Sequence, residues 1–248
     1  MHKLYVVHSS HPSEAVRRAL ALKGIPCKTV ELLIPTHAPL MRLRFGQRTV
    51  PALKLDGGEK ISGSRAIMRK LDELVADPPL LPPDREPALR AAVLEAERWG
   101  DEVLQPLVRR IAWSALKRAP GAIPSYQAAS RLPRLPRPVV KLVAPAVIAV
   151  ERRMHGASDD VVRADLRALP AHLDHVDCMI AAGVLGRHSD QPSAADLQIG
   201  SSLRLLGTIG DARPLLAGRP GEALATKLFA DFPGDVPAGT FPPDWLAR

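Results

Sequence analysis

The chain has 248 residues, with 34 Lys and Arg against 26 Asp and Glu, which gives a net charge of +8. At 46% hydrophobic and 24% charged residues, it suits a soluble globular protein of one large domain or two small ones, and excludes disorder, collagen and a disulfide scaffold. Its longest uncharged apolar run, Leu142 to Val150, falls far short of the roughly 20 residues a membrane-spanning helix needs.

The apolar start turns polar at His8-Ser9-Ser10, too early for a secretory signal. Cys27 and Cys178 stand in no CxxC or Cys/His ligand spacing, and the histidines, among them His8, His11, His37 and His155, have no metal-site spacing. Neither a metal nor a redox pair is expected, and the default location is a reducing cytoplasm. Residues 1–75 carry 13 basic and 6 acidic groups, residues 76–157 carry 13 and 8, and residues 158–248 carry 8 and 12. The cationic first two thirds suit an anionic partner. Only 4% of residues are aromatic, and without a basic tail or stacking motif a nucleic acid is not expected. A small anionic ligand fits the same charge.

Leu4-Tyr5-Val6-Val7 reads as a short buried strand, followed by the polar loop Ser9-Ser10-His11-Pro12-Ser13. Val16, Ala19 and Leu20 form a helical stripe closed at Lys23-Gly24. Cys27 to Leu32 is a second strand, so the helix between makes a βαβ unit with parallel pairing. Ile34 to Arg48 has no clean period and three arginines, and reads as a surface connection with about one helical turn. Ala52 to Leu55 and Lys60 to Ser62 flank Asp56-Gly57-Gly58 as a hairpin. An amphipathic helix follows from Ser64, placed near its N-cap, to Leu74.

Pro78, Pro79, Pro82, Pro83 and Pro87 mark a linker. Beyond it Leu89, Val93, Ala96, Gly100, Val103, Leu107 and Ile111 keep helical spacing, with a kink predicted at Pro106. Pro120 to Pro138 has no readable period. Two more helices, each with one interior proline, run from Val139 to Met154 and through Leu166 to Ile180. Ser193-Ala194-Ala195-Asp196 is a capping box with Asp in the usual Glu place, opening a helix expected to be buried. The tail from Phe232 to Arg248 is expected to drape over the surface.

Taken in order, Ser10-His11-Pro12-Ser13, Ala19 to Ile25, Thr49-Val50-Pro51-Ala52-Leu53, Gly63-Ser64-Arg65-Ala66-Ile67 and Ser193 to Leu197 resemble the glutathione S-transferase family. The resemblance implies an α/β thioredoxin-like N-terminal domain (1–76), a linker (77–87) and an all-helical C-terminal domain (88–248). It implies a cytoplasmic detoxification transferase that activates a small thiol for attack on an electrophile, and it allows a homodimer. The open alternative is a non-catalytic relative that binds a thiol, a hydrophobic ligand or a protein.

Within that resemblance Ser10 takes the place of the residue that hydrogen-bonds the thiol sulfur, where a helix N-terminus favours an anion. The other reading is that Ser10 or Ser13 only caps the helix, and Ser9 becomes the functional hydroxyl if the loop is shifted by one. With serine at both ends of the motif, disulfide chemistry is excluded there. Val50-Pro51 is expected to be a cis bond whose turn pairs with the thiol's backbone. Ser64 would hold a carboxylate, with Ser13 and Arg48 completing the thiol site. Gly63 stands where the family has an acid or amide, which leaves glutathione and mycothiol both open as co-substrate. His11, Arg109 and Trp113 are the candidates for the acceptor pocket between the domains, with Tyr126 beyond them.

Overall fold

The computed structural model describes residues 1–133, 136–188 and 190–246. Strand β1 (His2–Val7) is the centre of a four-stranded sheet. It pairs in parallel with β2 (Cys27–Leu32), Val6 lying opposite Glu31, and antiparallel with β3 (Ala52–Lys54), Leu4 lying opposite Leu53. β4 (Lys60–Ser62) closes the hairpin, giving the order β2-β1-β3-β4. Parallel neighbours need a crossover, and α1 (His11–Leu22) supplies it.

Alternate side chains of a strand point to opposite faces. Leu4 and Val6 therefore join the main core with Val16, Ala19 and Leu53, while Tyr5 and Val7 join a second cluster with Leu32, Met41 and Ala52. Burial on both faces is why β1 reads as an unbroken apolar run.

The second cluster is covered by α2 (His37–Phe45), a nine-residue helix where a surface connection with about one turn is expected. The reason is the small number of anchors. Only His37 and Met41, four positions apart, are buried, and two residues do not make a visible period. Gly46, at φ 76°, ends the helix with its N–H donating to the Arg42 carbonyl. In α3 (Ser64–Leu74) the serine sits inside the first turn and Gly63, at φ 88°, takes the cap position, which shifts the expected cap by one residue.

The proline-rich linker is pinned at Leu80, whose N–H donates to Asp72 Oδ1 (2.9 Å) and whose carbonyl accepts from Ala194 N (2.7 Å). Helix α4 (Pro87–Trp99) passes through a π-helical stretch, Gly100–Leu104, into α5 (Gln105–Arg118). Where a kink is expected at Pro106, which has no N–H for the carbonyl of Glu102, the structure has this π-helical stretch just before the proline. The proline-rich stretch after α5, which has no readable period, holds a short 3-10 turn, Pro120–Ala122, and α6 (Ile123–Tyr126). Helices α7 (Arg137–Met154) and α8 (Asp159–Ala181) each contain their proline.

Helix α9 (Ala194–Gly207) is buried along nearly all its length and packs against α1, α4 and α5. A Cβ at Gly100 would lie 2.8 Å from Ile199 Cγ1, so glycine there lets the two segments touch. After α10 (Arg213–Leu216) and α11 (Pro220–Leu228), the tail ends in α12 (Pro243–Leu246). It does not drape over the surface as expected: Val236, Phe241 and Trp245 are all buried. Phe241 stacks on Trp245, and the Arg118 guanidinium lies 4.4 Å from the Trp245 ring centroid. A few large anchors outweigh the loop-like composition around them. Among the described residues no helix is long and apolar enough to cross a membrane.

Candidate active site

β1 ends at Val7, and its antiparallel pairing with β3 brings Val50 and Pro51 to the same end of the sheet. The loop after Val7 turns through Ser9, at φ 61°, into α1. Ser9 Oγ donates to the Tyr126 carbonyl (2.5 Å) and His8 Nε2 meets the Ala128 carbonyl (2.6 Å). Ser9 is thereby committed to holding the loop, which leaves Ser10 as the free hydroxyl.

Ser10 occupies the N-cap position of α1, but its side chain makes no cap hydrogen bond. Its Oγ accepts instead from Ser13 Oγ (3.1 Å), a fully buried residue. Accepting that bond leaves the Ser10 O–H hydrogen directed elsewhere. The first turn of a helix also offers unpaired N–H groups and positive partial charge.

The Val50–Pro51 bond is cis. The Pro51 carbonyl accepts from Gly63 N (3.0 Å), which draws Gly63 and the start of α3 to the cis turn. Ser64 is buried. Arg48 is exposed, and among the described residues no hydrogen bond or ion pair ties it to this group. Arg65 pairs with Glu97 (3.7 Å) and Glu102 (3.3 Å) rather than standing free.

Ser10, His11 and Val50 open onto a cavity of about 270 Å³ between the sheet-bearing and helical parts, walled opposite by Arg109, Trp113 and Tyr126. Ser13, Arg48, Pro51, Gly63 and Ser64 lie outside its lining. The half-buried Trp113 is both cavity wall and core neighbour. Tyr126 hydrogen-bonds Thr208 Oγ1 (2.6 Å), and burial pushes its phenol up to about 12. It is a wall residue, not an acid at neutral pH.

Sequence reasoning missed His37, Glu151 and His155, which line the same cavity. His37 lies on α2, a helix without a visible period, and Glu151 and His155 lie on and just after α7. Glu151 and His155 stand four apart in the sequence, but no spacing links either to His37. Burial, with the Arg109 charge beside it, holds His11 well below its ordinary value, and burial also lowers His37.

This architecture is a thioredoxin-like domain followed by a helical one, with the site at the end of β1. Residues 4–79 match the family described as glutathione S-transferase, N-terminal domain. No curated protein matches the chain in sequence. Among solved structures, glutathione transferase F7 from Populus trichocarpa is similar over 100% of both chains, at 16% identity and a TM-score of 0.63. The β-etherase LigF from Sphingobium covers 92% of this chain and 98% of its own, at 17% identity and 0.61. Glutaredoxin 2 from Salmonella typhimurium, in complex with glutathione, covers 94% and 93%, at 20% identity and 0.54. Residues 4–79 thus carry the N-terminal domain of the glutathione S-transferase family, and the chain as a whole has the fold of that family's solved structures.

Proposed function

We propose that the protein is a glutathione S-transferase-type enzyme in which Ser10 stabilises the thiolate of a small thiol while an electrophile occupies the interdomain cavity. The observation that carries this reading is Ser10 itself, a non-capping hydroxyl at the start of α1, supported from behind by Ser13 and opening onto the cavity. The residues fit glutathione in part. The cis Val50–Pro51 turn and the helix start at Ser64 meet at Gly63, but Gly63 offers no side chain to the ammonium end of the tripeptide. Its φ of 88° is one that glycine adopts without strain.

The thiol, once ionised, supplies the nucleophile: its sulfur forms a bond to the electrophilic carbon as the leaving group departs with the bonding pair, and the thiol proton goes to solvent. Ser10 donates a hydrogen bond to the sulfur, favouring the thiolate at neutral pH. Placing both reactants at one end of the sheet supplies the proximity. The reading places the enzyme in a reducing cytoplasm, where small thiols stay reduced.

A hydrogen bond to a charged group is worth about 1.5–3 kcal/mol, so Ser10→Ala should slow turnover about 10- to 150-fold with little loss of thiol binding. Turnover of 1-chloro-2,4-dinitrobenzene with glutathione, and in parallel with mycothiol, is the assay. Ser13→Ala should cost less, because it touches the sulfur only through Ser10. Equal turnover in wild type and Ser10→Ala rejects the role. Gly63 favours a second reading, a thiol-binding relative without turnover, which calls for glutathione to raise the melting temperature while no variant is active.

A further inference from the structure

The interdomain cavity contains polar groups that thiol activation does not use. Most of its wall is apolar, from residues such as Ile34, Trp113, Val147 and Ile148. Into it come polar side chains from four elements: His11 of α1, His37 of α2, Arg109 of α5 and Glu151 of α7. His11, His37 and Glu151 are 2%, 6% and 2% exposed. His11 Nε2, His37 Nδ1 and Glu151 Oε1 have no hydrogen-bond partner. Buried polar atoms are nearly always paired, and several orphans around one cavity mark the place where a ligand's polar end belongs.

The charges say which kind of end. Glu151 has two imidazoles near it, His155 Nε2 at 3.4 Å and His37 Nδ1 at 4.0 Å. Arg109 makes no ion pair or hydrogen bond among the described residues. Two acidic groups lie in its electrostatic neighbourhood, Asp101 and Glu151: Asp101 is already bonded by the side-chain amides of Gln105 (3.2 Å) and Gln198 (3.3 Å), and Glu151 faces the two imidazoles. Desolvation lowers the Arg109 pKa to about 10, so it remains a cation at neutral pH. His11 is kept neutral by its burial and adds no second positive charge. The cavity thus presents one unpaired guanidinium against an apolar wall, with Glu151 present to disfavour a second negative charge.

We infer that the cavity's occupant is an amphiphilic monocarboxylic acid, its apolar body along the Trp113, Val147 and Ile148 wall and its carboxylate on the Arg109 guanidinium. A planar guanidinium pairs with a carboxylate through two parallel hydrogen bonds. The description of this acid as the electrophilic substrate rests on the transferase reading, whereas its binding does not.

The test is titration calorimetry on the full chain at neutral pH with 4-phenylbutyrate and its uncharged isostere 4-phenylbutyramide. Wild type should bind the acid at least tenfold more tightly than the amide. Arg109→Met should erase that preference, and Arg109→Lys should keep part of it, with circular dichroism confirming the fold of each. Equal affinity for acid and amide in wild type, or binding of neither, overturns the inference without any need for a variant. So does an acid preference that survives in folded Arg109→Met. An acid preference in a wild type that fails to bind glutathione or mycothiol supports the carboxylate site and sinks the transferase reading, so the two failures are distinguishable.

Discussion

Asp196 and Ser193 open the buried helix α9, and removing them separately should cost very different amounts. The Asp196 carboxylate accepts from Ser193 N (2.8 Å), Ser193 Oγ (2.8 Å) and, across the chain, Gly186 N (2.7 Å). Among the described residues, Ser193 Oγ accepts from Asp196 N alone (3.2 Å). Ser193→Ala therefore removes the cap bond and the hydroxyl's donation to Asp196 while leaving both backbone N–H groups on the carboxylate, a cap loss worth about 1 kcal/mol. Asp196→Ala leaves two part-buried backbone N–H groups without this partner, and at about 1.5 kcal/mol each, the lower part of the 1–3 kcal/mol range for buried groups, the total is about 3 kcal/mol. For a chain of this size 1 kcal/mol moves the melting temperature by roughly 2–4 °C. The serine variant should therefore melt about 2–4 °C lower and the aspartate variant about 6–12 °C lower. Differential scanning calorimetry of both, with Asp196→Asn as an intermediate that keeps one acceptor oxygen, reads the difference. Equal shifts for Ser193→Ala and Asp196→Ala refute the claim that Asp196 ties the loop at Gly186 to α9 as well as capping the helix.

Glu97 of α4 is fully buried and takes a two-point contact from Arg69 of α3, with Arg65 Nε at 3.7 Å. Because both arginines are about a third exposed, Glu97→Ala should cost about 2 kcal/mol, less than the 3–5 kcal/mol of a wholly buried pair. Urea unfolding should show Glu97→Met with Arg69→Met costing less than Glu97→Ala alone, and the reverse order contradicts the assignment. His11 bears on pH. Its folded pKa lies well below the ordinary 6.5 because of burial and then Arg109, so the unfolded chain takes up its proton first as pH falls. Stability should hold above about pH 6.5 and decline below it toward the folded value, by up to about 1.4 kcal/mol per pH unit. His37, lowered by burial, acts in the same direction. His11→Gln should flatten the fall in melting temperature between about pH 6.5 and pH 5.5, and parallel curves for variant and wild type count against it.

Elements whose physics is local are legible in the amino-acid sequence. The capping box at Ser193 and Asp196 needs only residues three apart, and it is there with both bonds. Strand β2 matches its expected bounds, and the hairpin around Asp56 falls where its turn residues put it. The cis bond at Val50–Pro51 also agrees with expectation, on the strength of the resemblance rather than of composition.

Elements stabilised by distant partners are not legible in this way. Helix α2 is held by Met41, packed with Tyr5 and Val7 of β1, and by His37, buried at the cavity, and two anchors in nine residues leave no period to see. The tail contains three buried anchors in a sequence otherwise rich in proline and glycine. The cavity draws His11, His37, Arg109 and Glu151 from four separate elements. Hydrophobic period and capping chemistry act over a few positions, so the sequence by itself determined the order of strands and most helices, and the place of Ser10 at the start of α1. Which polar groups are buried together, and which are left without a partner, depends on how those elements pack, and that was decided only by the tertiary structure.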